Sequence, residues 1–152
     1  MKKVLDRIFI DGLSGMAQGL FATLIIGTII QQIGTFAGGS VGDTIYLIGK
    51  VAAGLTGAGI GAGVARKLDA GHLVIVSAAV AGMVGAFAGD LASGELLVDG
   101  NLILSGPGEP LGAFVAAYVA IELGILVSGK TRLDIILTPL VCIGAGSAVG
   151  LF

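Results

Sequence analysis

Ser105-Gly-Pro-Gly-Glu-Pro-Leu-Gly112 is the stretch from which the rest of the chain can be read. It closes the longest polar interval of the sequence and opens an apolar span. Two prolines and glycines on both sides surround one carboxylate, Glu109. Proline fixes φ, and glycine reaches backbone conformations closed to other residues. Pro110 suits the first turn of a helix, where its missing N–H costs nothing. Glu109 then stands at the positive end of the helix dipole, near a membrane surface or a cavity mouth.

Composition sets the class. Of 152 residues, 55% are hydrophobic and 12% charged, and mean hydropathy is +1.05. Soluble domains carry about 25% charged residues. The 28 glycines show no collagen period and lie mainly inside apolar runs, as in closely packed membrane helices. Basic residues are too few and scattered for a nucleic-acid surface. A single cysteine, Cys142, excludes an internal disulfide and a cysteine metal cluster.

Outward from the Gly-Glu-Pro turn, the chain resolves into five apolar spans. They cover about 13–33, 44–65, 73–91, 110–128 and 133–152, within one membrane domain. Each has about 19–22 residues, enough at about 1.5 Å per residue to cross a core about 30 Å thick. Residues 1–11 read as a short interfacial helix, with Val4, Leu5, Ile8 and Phe9 on one face. The fold expected is therefore an all-α polytopic membrane protein. In the outer interval, Glu95–Ser105 places apolar triplets around Asp99-Gly100-Asn101 and predicts a small β-hairpin.

Charge predicts the orientation. Lys2, Lys3 and Arg7 precede the first span, Arg66 and Lys67 follow the second, and Lys130 and Arg132 separate the fourth and fifth. The other two intervals hold no Lys or Arg. Positive loops face the cytoplasm. The expectation is a plasma (inner) membrane protein with a cytoplasmic N-terminus. Seven of the eight basic residues obey the rule, and Lys50 alone falls inside a span.

Glycines at helical spacing mark packing faces. Gly54, Gly57 and Gly61 share a face of the second span, and Gly59 and Gly63 extend the groove. Gly82, Gly85 and Gly89 make a stripe on the third span. Gly15/Gly19 and Gly146/Gly150 repeat the device. The alternative is that some of these glycines break a helix to line a cavity.

Polar residues inside spans are costly unless satisfied. By counting turns, Lys50, Asp90, Glu109, Gln31 and Gln32 fall at similar depth in the outer third, so a shared solute-binding cluster is geometrically open. The competing reading is a Lys50 that snorkels to the interface while the others are wet. Glu122 lies deeper, about 9 Å from Lys50 along the axes. It is a second site or the partner of a group outside the chain. No Ser–His–acid set, HExxH motif or P-loop occurs, so neither catalysis nor a cofactor is expected. His72 follows a short basic loop and reads as structural.

Several stretches together resemble one known family. They are Ile8–Ala17, Lys50–Gly61, Ser77–Gly85, Gly106–Gly112 and Leu133-Asp-Ile-Ile-Leu-Thr-Pro139. They are similar to the phosphotransferase-system EIIC-like membrane family, which includes perfringolysin O regulator-like proteins. The resemblance covers nearly the whole chain. It implies a transporter-type subunit moving a small polar solute, a sugar by analogy, with Glu109 near solute hydroxyls. The runner-up is a membrane-embedded regulator or scaffold acting through protein contacts. Family members are longer, and an odd number of spans is the form of half an inverted-repeat transporter. A homo-oligomer or a second half-transporter segment is the partner expected, besides the lipid bilayer.

Overall fold

The computed structural model describes residues 2–130 and 132–152. Met1 and Thr131 lie outside them. The chain is almost wholly helical, an all-α membrane fold. Helix α1 runs without a break over Lys2–Ala37, 36 residues, and so joins the expected interfacial segment to the first span. At about 1.5 Å per residue it is about 54 Å long, well beyond a hydrocarbon core. Two π-helical turns, Arg7–Gly12 and Phe21–Ile25, interrupt its regular winding.

The second span is a bent pair, α2 (Gly39–Gly54) and α3 (Thr56–Lys67), meeting at 51°. The sequence places a single span here, at about 44–65, with a helix break at its glycines as the alternative. Leu55 breaks it, with φ −90° and ψ 13°. The third span also breaks early. Helix α4 covers His72–Ala86 and α5 covers Ala88–Ser93, with the kink at buried Phe87. Strands β1 (Leu97–Val98) and β2 (Asn101–Leu102) form the expected antiparallel hairpin. Its turn residues Asp99 and Gly100 take φ of 51° and 80°, which suits Asp-Gly. Helices α6 (Pro110–Val127) and α7 (Asp134–Gly150) complete the chain.

Helices α3, α4, α6 and α7 form the core, and the N-terminal half of α1 packs on α3. The second half of α1 and α2 make a two-helix arm whose side chains are mostly exposed. Phe36, Val41 and Val51 there, and Ile135 and Leu140 on α7, are more than three-fifths exposed. Apolar surface of that extent fits a hydrocarbon surround. By length and composition, α1 and α6 can each cross a membrane, and the α2–α3 pair is apolar enough to count as a third if the bent pair is a single span. Helices α4 and α7, at 15 and 17 residues, are apolar but shorter.

Glycine decides which faces meet. Helix α3 lies between α1 and α4 and presents a different glycine ridge to each. A Cβ on Gly15 would stand 2.7 Å from Val64 Cα, and one on Gly63 would meet Gly15 O. Gly19 and Gly59 oppose each other in the same way. On the other face, a Cβ on Gly57 would come 2.7 Å from Gly82 O and 3.0 Å from Met83 Cα. Gly61 abuts the backbone of Ala78 and Ala79. Gly85 seats against Gly112 and Ala116 of α6, and Gly146 of α7 against Ala116 and Ala120. Gly54 differs from this set. A Cβ there would meet only Gly106 O, at 4.0 Å, so Gly54 is not at a close helix contact.

The α6–α7 connection is fixed by Asp134. Its Oδ1 accepts from Gly129 N–H at 2.9 Å and from the buried Thr138 hydroxyl at 2.6 Å. This accounts for the Leu-Asp-Ile-Ile-Leu-Thr-Pro run. The carboxylate ties the α6–α7 turn to the first turn of α7, one residue before Pro139.

Candidate functional site at the meeting of broken helix ends

Four helix ends converge at the end of the core that carries the hairpin. Helix α3 begins at buried Thr56, whose hydroxyl donates to Ala53 O at 2.6 Å. Helix α4 ends at Ala86, α6 begins at Pro110, and the end of α7 brings Gly150 against Gly85. The Gly-Pro-Gly-Glu-Pro turn threads between them. Gly106 and Gly108 have φ of 80° and 73°, which only glycine adopts without strain. A Cβ on Gly108 would also lie 2.7 Å from Ala86 O. This close approach lets Glu109 N–H donate to Ala86 O at 2.7 Å, satisfying a terminal carbonyl of α4.

Glu109 caps α6. Its Oε1 accepts from Leu111 N–H at 2.9 Å and its Oε2 from Gly112 N–H at 2.6 Å. The side chain nonetheless remains exposed. It borders a cleft of about 510 Å³ with Asp90, Phe87, Gly89, Gly108 and Gly150. Carboxylate oxygens keep lone pairs beyond the two backbone bonds, so this cleft presents two acidic acceptors beside an apolar floor.

The structure brings Asp90 and Glu109 together and puts the other predicted residues elsewhere. Lys50 lines a separate cleft of about 600 Å³, on the far side of the Gly106 turn. Gln31 packs against Gly49 within the arm, and Gln32 is exposed there. Glu122 has its partner inside the chain. Arg7 Nε donates to Glu122 Oε1 at 2.6 Å, across 115 residues of sequence. The sequence reading set Arg7 aside as a topogenic charge. The depth of Glu122, six residues from the inner end of its span, was the one sign that it could meet a group at that end.

An apolar helical bundle with kinked spans and helix ends gathered at a polar cleft is the architecture of a membrane transporter component. The family described as "Phosphotransferase system, EIIC" matches residues 10–152, and the chain belongs to it. No curated protein and no solved structure matches.

Proposed function

We propose that the chain binds a small, neutral, hydroxyl-rich solute, a sugar or sugar alcohol, at the Asp90–Glu109 cleft as a step in its translocation. The observation that carries this reading is the position of Glu109. A capping carboxylate held by two backbone N–H groups needs little reorganisation to accept a solute hydroxyl in place of water. The volume suits a small ligand. Chemistry on the solute falls to other components, and this chain supplies the binding site and the path. The exposed apolar arm supports a second copy, or a second half-transporter segment, as its neighbour in the bilayer.

Thermal-shift screening of monosaccharides and sugar alcohols against the detergent-purified chain tests the proposal. Glu109→Gln keeps the shape and one acceptor oxygen but loses charge. It should weaken solute binding about tenfold or more, since hydrogen bonds to charged groups contribute about 1.5–3 kcal/mol. Glu109→Ala should weaken it further. The loss of the helix cap alone costs about 1 kcal/mol of stability and leaves binding intact. Solute-dependent stabilisation retained in full by both variants removes Glu109 from the site.

The membrane orientation we infer from charge places the hairpin outside and the α6–α7 turn inside. A cysteine replacing Asn101 should react with an impermeant maleimide in intact cells. One replacing Lys130 should react only after permeabilisation. Labelling of both from the same side would sink this topology.

A further inference from the structure

We propose that the cleft beside Lys50 holds an anionic phospholipid, its phosphate against the Lys50 ammonium and an acyl chain along Leu47, Val51, Leu55, Met83 and Ile103. Lys50 projects from α2 among exposed apolar residues. Leu47, Ile48, Val51 and Leu55 are each between 47% and 66% exposed. A cation in such a setting is expensive in a bilayer unless its charge is met. Among the described residues, no carboxylate lies within ion-pair distance of Lys50. Other basic residues also lack one, but Lys50 alone falls inside an apolar span, where an unmet charge is costly.

The cleft states what a group meeting that charge looks like. Its volume is about 600 Å³, and its walls are hydrocarbon apart from Lys50 and the Ser105–Gly106 segment. A hydrated inorganic anion or a neutral sugar would leave those walls unpaired. A molecule with one anionic head and a hydrocarbon body matches both the cation and the walls. Gly54, the last residue of α2, puts no side chain into the floor of the cleft, and a Cβ there would meet only Gly106 O, at 4.0 Å. The site lies across the Gly106 turn from the Asp90–Glu109 cleft and does not depend on the solute reading.

Native mass spectrometry of the detergent-purified chain, with phosphatidylglycerol or phosphatidylcholine added to the micelles, tests the proposal. One lysine facing an anionic headgroup gives a roughly fivefold preference for phosphatidylglycerol. Lys50→Gln should bring the two lipids to near-equal retention, because it removes the cation that faces the headgroup in this cleft. Gly54→Leu should reduce retention of both lipids by filling the cleft while leaving the charge. Lys50→Arg should keep the preference, which guards against a folding defect in the glutamine variant. A fivefold preference surviving Lys50→Gln overturns the site, as does undiminished retention in Gly54→Leu. Displacement of phosphatidylglycerol by millimolar inorganic phosphate would overturn the lipid in favour of a free anion.

Discussion

Gly61→Leu is expected to abolish folded, monodisperse protein in detergent. The glycine faces the backbone of α4, where an added Cβ would meet Ala78 O and lie 2.9 Å from Ala79 Cα. Backbone atoms cannot rotate aside as a side-chain tip can. Relief therefore requires α3 and α4 to separate. Helix α3 cannot retreat, because its opposite face is locked by Gly59 and Gly63 against Gly19 and Gly15 of α1. Overpacking in cores costs about 1–3 kcal/mol or more. A clash against backbone on a helix held from both sides belongs at the upper end. The contrasting substitutions are Gly54→Ala and Gly89→Ala. Both positions are helical with open space around the Cβ. They should be tolerated, with Tm unchanged or slightly raised, because both lie at helix ends, where the propensity gain is smaller than in a helix interior. Size-exclusion profiles and melting curves of the three variants read the result. A Gly61→Leu protein that melts like the wild type would refute the close α3–α4 contact.

Breaking the Arg7–Glu122 pair is expected to have the second largest effect. The two side chains are 35% and 37% exposed, and the pair joins the start of α1 to α6. Removing one member leaves the other as an unpaired, part-buried charge, which is costly. Arg7→Ala and Glu122→Ala should each destabilise the chain. The double variant should be less destabilised than the sum, with a coupling of about 0.5–3 kcal/mol. The single variants should also loosen the first turns of α1, raising amide hydrogen exchange over residues 2–12. Strict additivity of the two substitutions, with unchanged exchange, would show that the ion pair holds nothing.

The contrast between these two experiments follows the division between local and long-range information. Gly15, Gly19, Gly57, Gly61, Gly82 and Gly85 stand at helical spacings, so the capacity for close helix contacts can be read locally. Which ridge meets which helix cannot. Glycines 57/61 and 59/63 interleave within one short segment, yet they serve α4 and α1 respectively. Only the packed arrangement separates them. Gly54 fits the same spacing but falls just before the Leu55 kink. The change of axis turns it from a packing position into a cleft floor.

The site divides similarly. Pro110 after Glu109 specifies a helix start, and Asp99-Gly100 specifies a hairpin turn, because proline and glycine act on their own φ angles. Asp90 and Glu109 line one cleft, with Asp90 just past the break at Phe87, a bulky apolar residue that no local rule marks as a break. Counting turns along straight spans placed Lys50, Gln31 and Gln32 level with them. The 51° bend carries α2 and its lysine into a different cleft.

The sequence by itself determined the membrane class, the apolar helices, the hairpin, the capped start of α6 and the family, because hydropathy, turn chemistry and motifs are properties of neighbouring residues. Tertiary structure alone decided the kinks, the pairing of Arg7 with Glu122, the fate of each glycine ridge and the split of the polar residues between two clefts. Those outcomes depend on where helix axes bend and which backbones can approach within contact distance. Both are settled by residues far apart in the chain.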